Sequence, residues 1–541
     1  MKNLKYIFFV VALLSIFFYL WLPVIQFGFY DLPLIVLLVL LILIVFSFRF
    51  KSESNYQKVS VTNAPSKKLL FSFFIALGLF IIIPLFTTAT VLYTSKYQKL
   101  IGEVKNGEKI SAQIAPIAMD KIRVVDQELA YLLGEKIIGS QPALGSQVVL
   151  GRFSIQKVNN ELYWVAPLLH SGFFKWLNNS DGTNGYVMVS ATNERDVKLV
   201  QSINGKPFLI KYQPNAYFND DIHRHVYFNG NSSIGLTDFI FEIDEQGNPF
   251  WVISTYCKNV GFSGSNANGI LVVNAQSGEI IKYSIKDAPA WVDRIQPADF
   301  IENQLNDWGE YINGYWNFSN KDKLQITEGL TLVYGKNDRS YWYTGLTSVG
   351  SDESAVGFVL VDTRTKETTF YKQSGATEYA AQQSAEGKVQ EKGYKASLPI
   401  PYNINNIPTY VMTLKDDGGL VKMYAMVAIN DYTIVGVGNS MRETLTLFKS
   451  VYNSTGNKIN PTSSDAKKKL KSIITRIQSD VKNGNSFYYF TIKDFPSIFV
   501  GSSQVSNELP VTVVGDSIEI SFDIDEEKVI DVTRFDNKNL K

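Results

Sequence analysis

Three long apolar runs, at 6–25, 32–48 and 69–93, stand at the front of the chain, and no comparable run follows in the rest of its 541 residues. Each approaches the ~20 residues an α-helix needs to cross ~30 Å of hydrocarbon. The pattern predicts three transmembrane helices at about these positions, in an anchor covering 1–106. Loop charge sets the direction of such an anchor. Lys2 and Lys5 precede the first run, and only Asp31 lies between the first and second. Arg49, Lys51, Lys58, Lys67 and Lys68 stand against Glu53 between the second and third. The basic flanks belong in the cytoplasm. The expectation is a multi-pass cell-membrane protein with a cytoplasmic N-terminus and an extracytoplasmic C-terminal part. Tyrosine aside, no ionisable residue lies inside the runs, which favours an anchor over an ion route. Pro84 marks a kink or an end in the third run. The residues from Tyr93 to Val104 read as a continuation of that helix into solvent.

The remainder is too long for one core, so several units are expected. Its organisation is visible as a repeat. Residues 185–191 (GYVMVSA), 269–275 (GILVVNA) and 357–363 (GFVLVDT) share one pattern. Each begins with glycine and a large apolar residue, continues through aliphatic or Met positions ending in Val, and closes on a small polar residue and Ala or Thr. An aromatic strand precedes each: LYWV at 162–165, PFWVI at 249–253 and SYWY at 340–343. A degraded fourth copy pairs 408–412 (PTYVM) with 423–427 (MYAMV). The unit is an antiparallel meander closed by polar turns such as 244–247 and 275–278. Helical spacing appears between copies, at 120–133, 297–312 and 375–386. A helix laid across a meander buries its exposed face, so the predicted class is α+β, with a repeat region whose halves run 107–295 and 296–456.

The second copy, Val272-Val-Asn-Ala-Gln-Ser-Gly-Glu-Ile280, resembles the signature strand of PepSY domains, small α+β modules of bacterial envelope proteins. The third copy keeps Asp362, Thr363 and Glu367 but has Lys366 where that family has glycine. The resemblance implies binding or inhibition of envelope peptidases, or a structural role.

Residues 458–465 read as a linker to a last module at 466–541. There Leu470, Ile473, Ile474, Ile477 and Val481 recur at helical spacing, with Asp465 as N-cap and Gly484 as stop. The strand-like segments that follow fit a small OB-type barrel, so the module is read as a short helix and an OB-like β-barrel. Two of the four aromatics Phe487, Tyr488, Tyr489 and Phe490 are expected to face its core.

The chain carries 52 basic and 51 acidic residues, a formal net charge of +1, which provides no field for nucleic acid. Cys257 is the single cysteine, so no intrachain disulfide forms. With three His beside it, a zinc site of N and S ligands is not expected. Ser154-Ile-Gln-Lys157 matches a Ser-x-x-Lys nucleophile–base pair, but its flanks alternate like a strand and turn the two side chains to opposite faces. His223 and His225 would share one face of a strand, with Asp220 and Asp221 near. The turns at 181–184, 219–221 and 416–419 lack the full spacing of a calcium loop. Glu378 and Glu386, on one side of a helix, are too far apart for paired acid–base work and read as a solvated face. No residue is assigned a catalytic, cofactor-binding or metal role, and no cofactor is expected. The reading is a non-enzymatic binding or scaffold protein of the bacterial cell envelope whose partners are the lipid bilayer and other envelope or membrane proteins, not nucleic acid. The alternatives are a regulator or inhibitor of an envelope peptidase, or a subunit of a membrane export or conjugation complex.

Overall fold

A computed structural model describes residues 2–47, 49–52, 59–63, 66–110, 114, 121–327, 329–335, 339–349, 354–455, 468–482, 485–503, 505–522 and 529–540. The linker at 458–465, with Asp465, and the proposed stop Gly484 lie outside the described residues.

The three apolar runs do not give three spans. The first two runs fall on helix α1 (Lys2–Trp21) and helix α2 (Asp31–Ser47). The first run is cut short where Leu22 takes a positive φ of 54° ahead of Pro23. The second helix has 17 residues, roughly 26 Å at ~1.5 Å per residue, less than the hydrocarbon thickness. Among the described residues one helix, α3 (Lys67–Thr88), is long and apolar enough to cross a membrane. Ser66 caps it, its Oγ accepting from Leu69 N at 3.2 Å. It keeps Pro84 inside and ends at Ala89, whose ψ of 118° breaks the helical path. A separate helix α4 (Thr90–Gln98) then turns the chain towards the body, so the run does not extend as one rod into solvent.

The body is built from four antiparallel sheets, each a meander. Counted outward, the first holds Ser154–Val158, Glu161–His170, Tyr186–Ser190 and Val197–Val200. The second holds Gly235–Ile243, Pro249–Val260, Ser263–Asn274 and Ile280–Ser284. The third holds Thr331–Tyr334, Ser340–Ser348, Gly357–Asp362 and Thr368–Tyr371. The fourth holds Ile400–Ile404, Ile407–Lys415, Val421–Ala428 and Asp431–Gly438. Short strands extend the first, third and fourth. The four sequence copies supply the third strand of each sheet, and the aromatic segments the second.

One device recurs in all four. An aromatic of the second strand stands opposite the last Val of the motif: Trp164 with Val189, Trp251 with Val273, Trp342 with Val361, Tyr410 with Val427. Its polar atom donates to a carbonyl of the segment entering that sheet. Trp164 Nε1 reaches Val125 O at 2.8 Å, Trp251 Nε1 reaches Tyr212 O at 2.8 Å, Trp342 Nε1 reaches Gln296 O at 2.9 Å, and Tyr410 Oη reaches Ala376 O at 3.3 Å. The same entering residue donates its N–H to the carbonyl two residues past the Val, at Ala191, Ala275, Thr363 and Ile429. Each entering segment is thus pinned against its own sheet, and the backbone groups of an irregular buried stretch find partners. A helix follows each: Gln127–Gly139, Ile222–Val226, Ala298–Glu310 and Glu378–Gly387.

The sheets close into a ring. Sheets one and two share a core around Val165, Tyr186, Phe241 and Leu271, and sheets three and four share one around Tyr343, Phe358, Tyr410 and Val427. Between sheets two and three runs the segment 292–296, with Ser254 Oγ donating to Ile295 O and Ser340 Oγ to Asp293 O. Between four and one, Lys415 Nζ meets Asp126 at 2.5 Å and Glu128 at 2.8 Å, and Arg123 N donates to Tyr402 Oη. First strands inward around a shared cavity is the organisation of a small four-bladed propeller.

Two attachments complete the chain. Val104–Gly107, arriving from α4, pairs in parallel with Thr368–Tyr371 on the outer edge of the third sheet. The last module is a closed five-stranded barrel in the order Lys468–Lys482, Asn485–Ile492, Phe495–Ser502, Val529–Asn537, Ser517–Phe522. Its first element is a strand, not the short helix that the spacing of 470–481 predicts. A register break between Ile474 and Arg476 resets the alternation, so Leu470, Ile474 and Ile477 all pack on the barrel core, while Ile473 and Val481 are exposed. Phe487 and Phe490 are the two buried members of their aromatic group.

Candidate functional site

The ring encloses a cavity of about 950 Å³ to which all four sheets contribute. Its apolar wall includes the three latch tryptophans Trp164, Trp251 and Trp342, together with Phe153 and Phe241. The latch rings are held by hydrogen bond and packing together, so the wall is preformed.

The charged lining follows from the repeat. Arg123 and Arg294 occupy the same place in their entering segments, two residues before the latch carbonyls of Val125 and Gln296. They belong to the first and third sheets and so reach the cavity from different walls. Arg123 lies over the Trp164 ring, 5.7 Å from its centroid, and Nη1 donates to Leu332 O at 3.4 Å. Its Nε has no hydrogen-bond partner within the protein, and neither do Nε and Nη2 of Arg294. Arg152 and Asp299 stand exposed on the lining.

Asp238 enters the lining through a bulge. The pairing of its strand breaks between Thr237 and Phe239, and Asp238 takes φ of 49°, a left-handed conformation uncommon outside glycine. Burial pushes its carboxyl up, Asp299 adds to the rise, and Arg294 and Arg152 oppose it. Bulges that re-aim one side chain in this way are found beside functional sites.

Behind the wall Glu242 is fully buried. Arg294 Nη2 is 4.0 Å from Glu242 Oε1, beyond hydrogen-bond reach, and neither carboxyl oxygen has a hydrogen-bond partner. Desolvation outweighs attraction at that separation, and the acid is pushed up to about 8. Arg294 opposes the rise at Glu242, and at Asp293 and Asp238 as well. Asp293, also buried and raised by desolvation, accepts from Lys157 N at 2.9 Å and Tyr334 Oη at 3.0 Å. The cavity offers guanidinium donors beside flat aromatic walls, which suits an anionic or planar group on a partner.

The residues singled out from sequence lie elsewhere or have structural roles. Ser154 borders the cavity, but its Oγ donates to Phe241 O at 2.6 Å and ties the first sheet to the second. His223 and His225 are in a short helix capped by Asp221, not a strand. His223 Nδ1 lies 3.7 Å from Asp221, while His225 Nε2 meets Gly278 O at 2.7 Å. Among the described residues no three of His, Cys, Asp and Glu gather as metal ligands. Asp416 closes a hairpin, its Oδ1 accepting from Gly418 N and Leu420 N. Glu378 is not on a solvated face. It is buried between sheets three and four and accepts from Gly345 N at 3.1 Å and Thr327 Oγ1 at 2.5 Å. Glu386 accepts from Ala396 N at 3.0 Å. Arg123, Arg152, Asp238 and Arg294 match no motif. The available signal was the position of the two entering-segment arginines relative to the repeat.

No family model and no curated protein sequence matches the chain. Solved structures give weak similarities. One is the Bombyx mori GH32 beta-fructofuranosidase BmSUC1, a mutant in complex with sucrose, at TM-score 0.18 and 10% identity over 76% of this chain and 70% of that one. A glycoside hydrolase family 32 structure from Bifidobacterium adolescentis gives 0.19 and 9% over 73% and 68%. A structure titled sialidase gives 0.13 and 8% over 78% and 47%. At these scores the similarities assign neither fold nor activity to the chain.

Proposed function

We propose that the chain is a non-enzymatic binding protein of the bacterial cell envelope, held at the cell membrane by α3 with its body outside the cytoplasm. Lys67 and Lys68 at the start of α3 support that direction, being basic residues on the cytoplasmic flank. The single observation behind the binding role is the cavity, where two entering segments aim arginines beside preformed aromatic walls. The bound group is an anionic or planar part of an envelope protein. Regulation of an envelope peptidase is the narrower form of this reading, drawn from the PepSY-like strand at 272–280. The OB-like reading of the last module draws support from its strand order and from the parallel contact of its third and fifth strands.

The test uses a photo-crosslinking residue in the full chain in living membranes. Placed at Leu398, on the exposed rim of the cavity, it captures a partner that Arg123→Gln weakens; placed at Tyr432, on the fourth sheet away from the cavity, it does not. Capture that is equal at both positions, or indifferent to Arg123→Gln, overturns the cavity as the binding site.

A further inference from the structure

The body carries large aromatic side chains on the face where α3 ends. Gly261, at the tip of the second sheet's long hairpin, approaches Thr87 so closely that a Cβ there would lie 2.6 Å from Thr87 O. The next residue, Phe262, packs on Tyr30 at 4.9 Å between ring centroids, and Tyr30 meets Phe80 of α3 at 6.1 Å. The loop after α1 is bonded to the same face, with Tyr227 Oη donating to Pro23 O at 2.7 Å and Ile25 N to Ser232 O at 2.8 Å. A third segment reaches it from the side. Tyr311 packs beside Tyr93 of α4 on the cluster of Tyr97, Leu100 and Val260. From Tyr311 a chain of rings runs outward through Tyr315, Trp316 and Phe318, with successive centroids 6.5, 5.2 and 5.7 Å apart.

Four residues of these loops are large, apolar and open: Phe27 at 90%, Phe228 at 53%, Trp316 at 70% and Phe318 at 77% exposure. They come from three segments distant in sequence, and a soluble surface gains nothing by clustering them. Cations stand among them. The Arg224 guanidinium lies 5.0 Å from the Tyr19 ring, Lys258 Nζ 5.9 Å from Phe29 and Lys96 Nζ 4.7 Å from Tyr93. Aromatic rings with basic side chains at one level form the belt that sits at a membrane–water boundary.

We propose that Phe27, Phe228, Trp316 and Phe318 form a collar that seats the body in the headgroup region of the leaflet from which α3 emerges. The occupant of this surface is lipid, with the rings among the upper acyl chains and Arg224, Lys258 and Lys96 at the phosphates. The proposal rests on α3 crossing the membrane and adds that the body lies down on the bilayer instead of standing off on a stalk.

The experiment uses the full chain with Cys257→Ser and single cysteines in place of Phe318, Phe228, Leu79 or Val513, each carrying an environment-sensitive fluorophore. Leu79 is an exposed residue of α3, and Val513 an exposed residue of the barrel module. The proteins are reconstituted in phosphatidylcholine–phosphatidylglycerol vesicles containing spin-labelled lipid. The collar requires severalfold quenching at 318 and 228, as at 79, and little at 513. Quenching at 79 without quenching at 318 and 228 overturns the collar and leaves the membrane anchor standing. Absence of quenching at 79 overturns both.

Discussion

Trp342 fixes Gln296 directly: the indole N–H donates to the Gln296 carbonyl at 2.9 Å, while the Gln296 N–H donates to the carbonyl of Thr363, two places past the Val361 that stands opposite Trp342. The same triangle holds the other three entering segments, and in the first three sheets its ring is also part of the cavity wall. Trp342→Phe keeps most of the apolar volume but leaves a buried carbonyl without its donor. The expected loss is about 1–3 kcal/mol, measured as a lower denaturant midpoint with an unchanged slope.

Glu242 provides a pH test. Its folded pKa of about 8 lies above the ordinary 4.5, so the folded state keeps a proton that the unfolded chain gives up. Its contribution to stability is fully present below 4.5 and is lost as pH rises towards 8. Glu242→Gln removes that loss. The variant is expected to match the wild type near pH 4.5 and to melt higher at pH 8; a constant difference at all pH values would show that the acid does not titrate there.

Lys366 works in the opposite window. It sits at φ 64° in the turn where the second copy has Gly278, and its Nζ is held by Leu100 O at 2.6 Å, Asn266 Oδ1 at 2.5 Å and Gln304 Oε1 at 3.2 Å. The side chain thereby fastens the segment leaving α4 to the second and third sheets. Burial lowers its pKa from 10.5 to about 8. The unfolded chain holds the proton more tightly, so stability falls as pH drops from 10.5 to 8. Lys366→Met flattens that part of the pH–stability curve, which thermal melts across the interval will show.

Asp126 serves two ends at once. Its Oδ1 caps the helix Gln127–Gly139 by accepting from Leu129 N at 2.9 Å, and its other oxygen meets Lys415 from the fourth sheet. Asp126→Ala loses a cap worth about 1 kcal/mol and opens the seam of the ring. Amide exchange in that helix is expected to rise more than in Lys415→Met, which spares the cap.

The third strands and their aromatic neighbours were legible in the sequence because an apolar run ending in Val recurs in all four copies and a leading glycine in three of them. The ring was not, since its closing contacts, such as Lys415 with Asp126, join residues far apart in sequence. The barrel's first strand was misread for a specific reason: the bulge after Ile474 makes Leu470, Ile474 and Ile477 repeat like helical positions. His223 and His225 went the same way in reverse, because the Asp221 cap that starts a helix there is a single residue among several turn formers. Glu378 looked like surface until Gly345, from another sheet, supplied its donor. The apolar runs gave the positions of three helices, but among the described residues only Lys67–Thr88 is long and apolar enough to cross a membrane.

The strand Val104–Gly107 is synthesised before any sheet of the body, yet its hydrogen-bonding neighbour is Thr368–Tyr371. A chain synthesised from its N-terminus therefore leaves this strand without a mate until the third meander has been made. Until then the unpaired edge of Val104–Gly107 is open to chaperones and to pairing with the wrong strand.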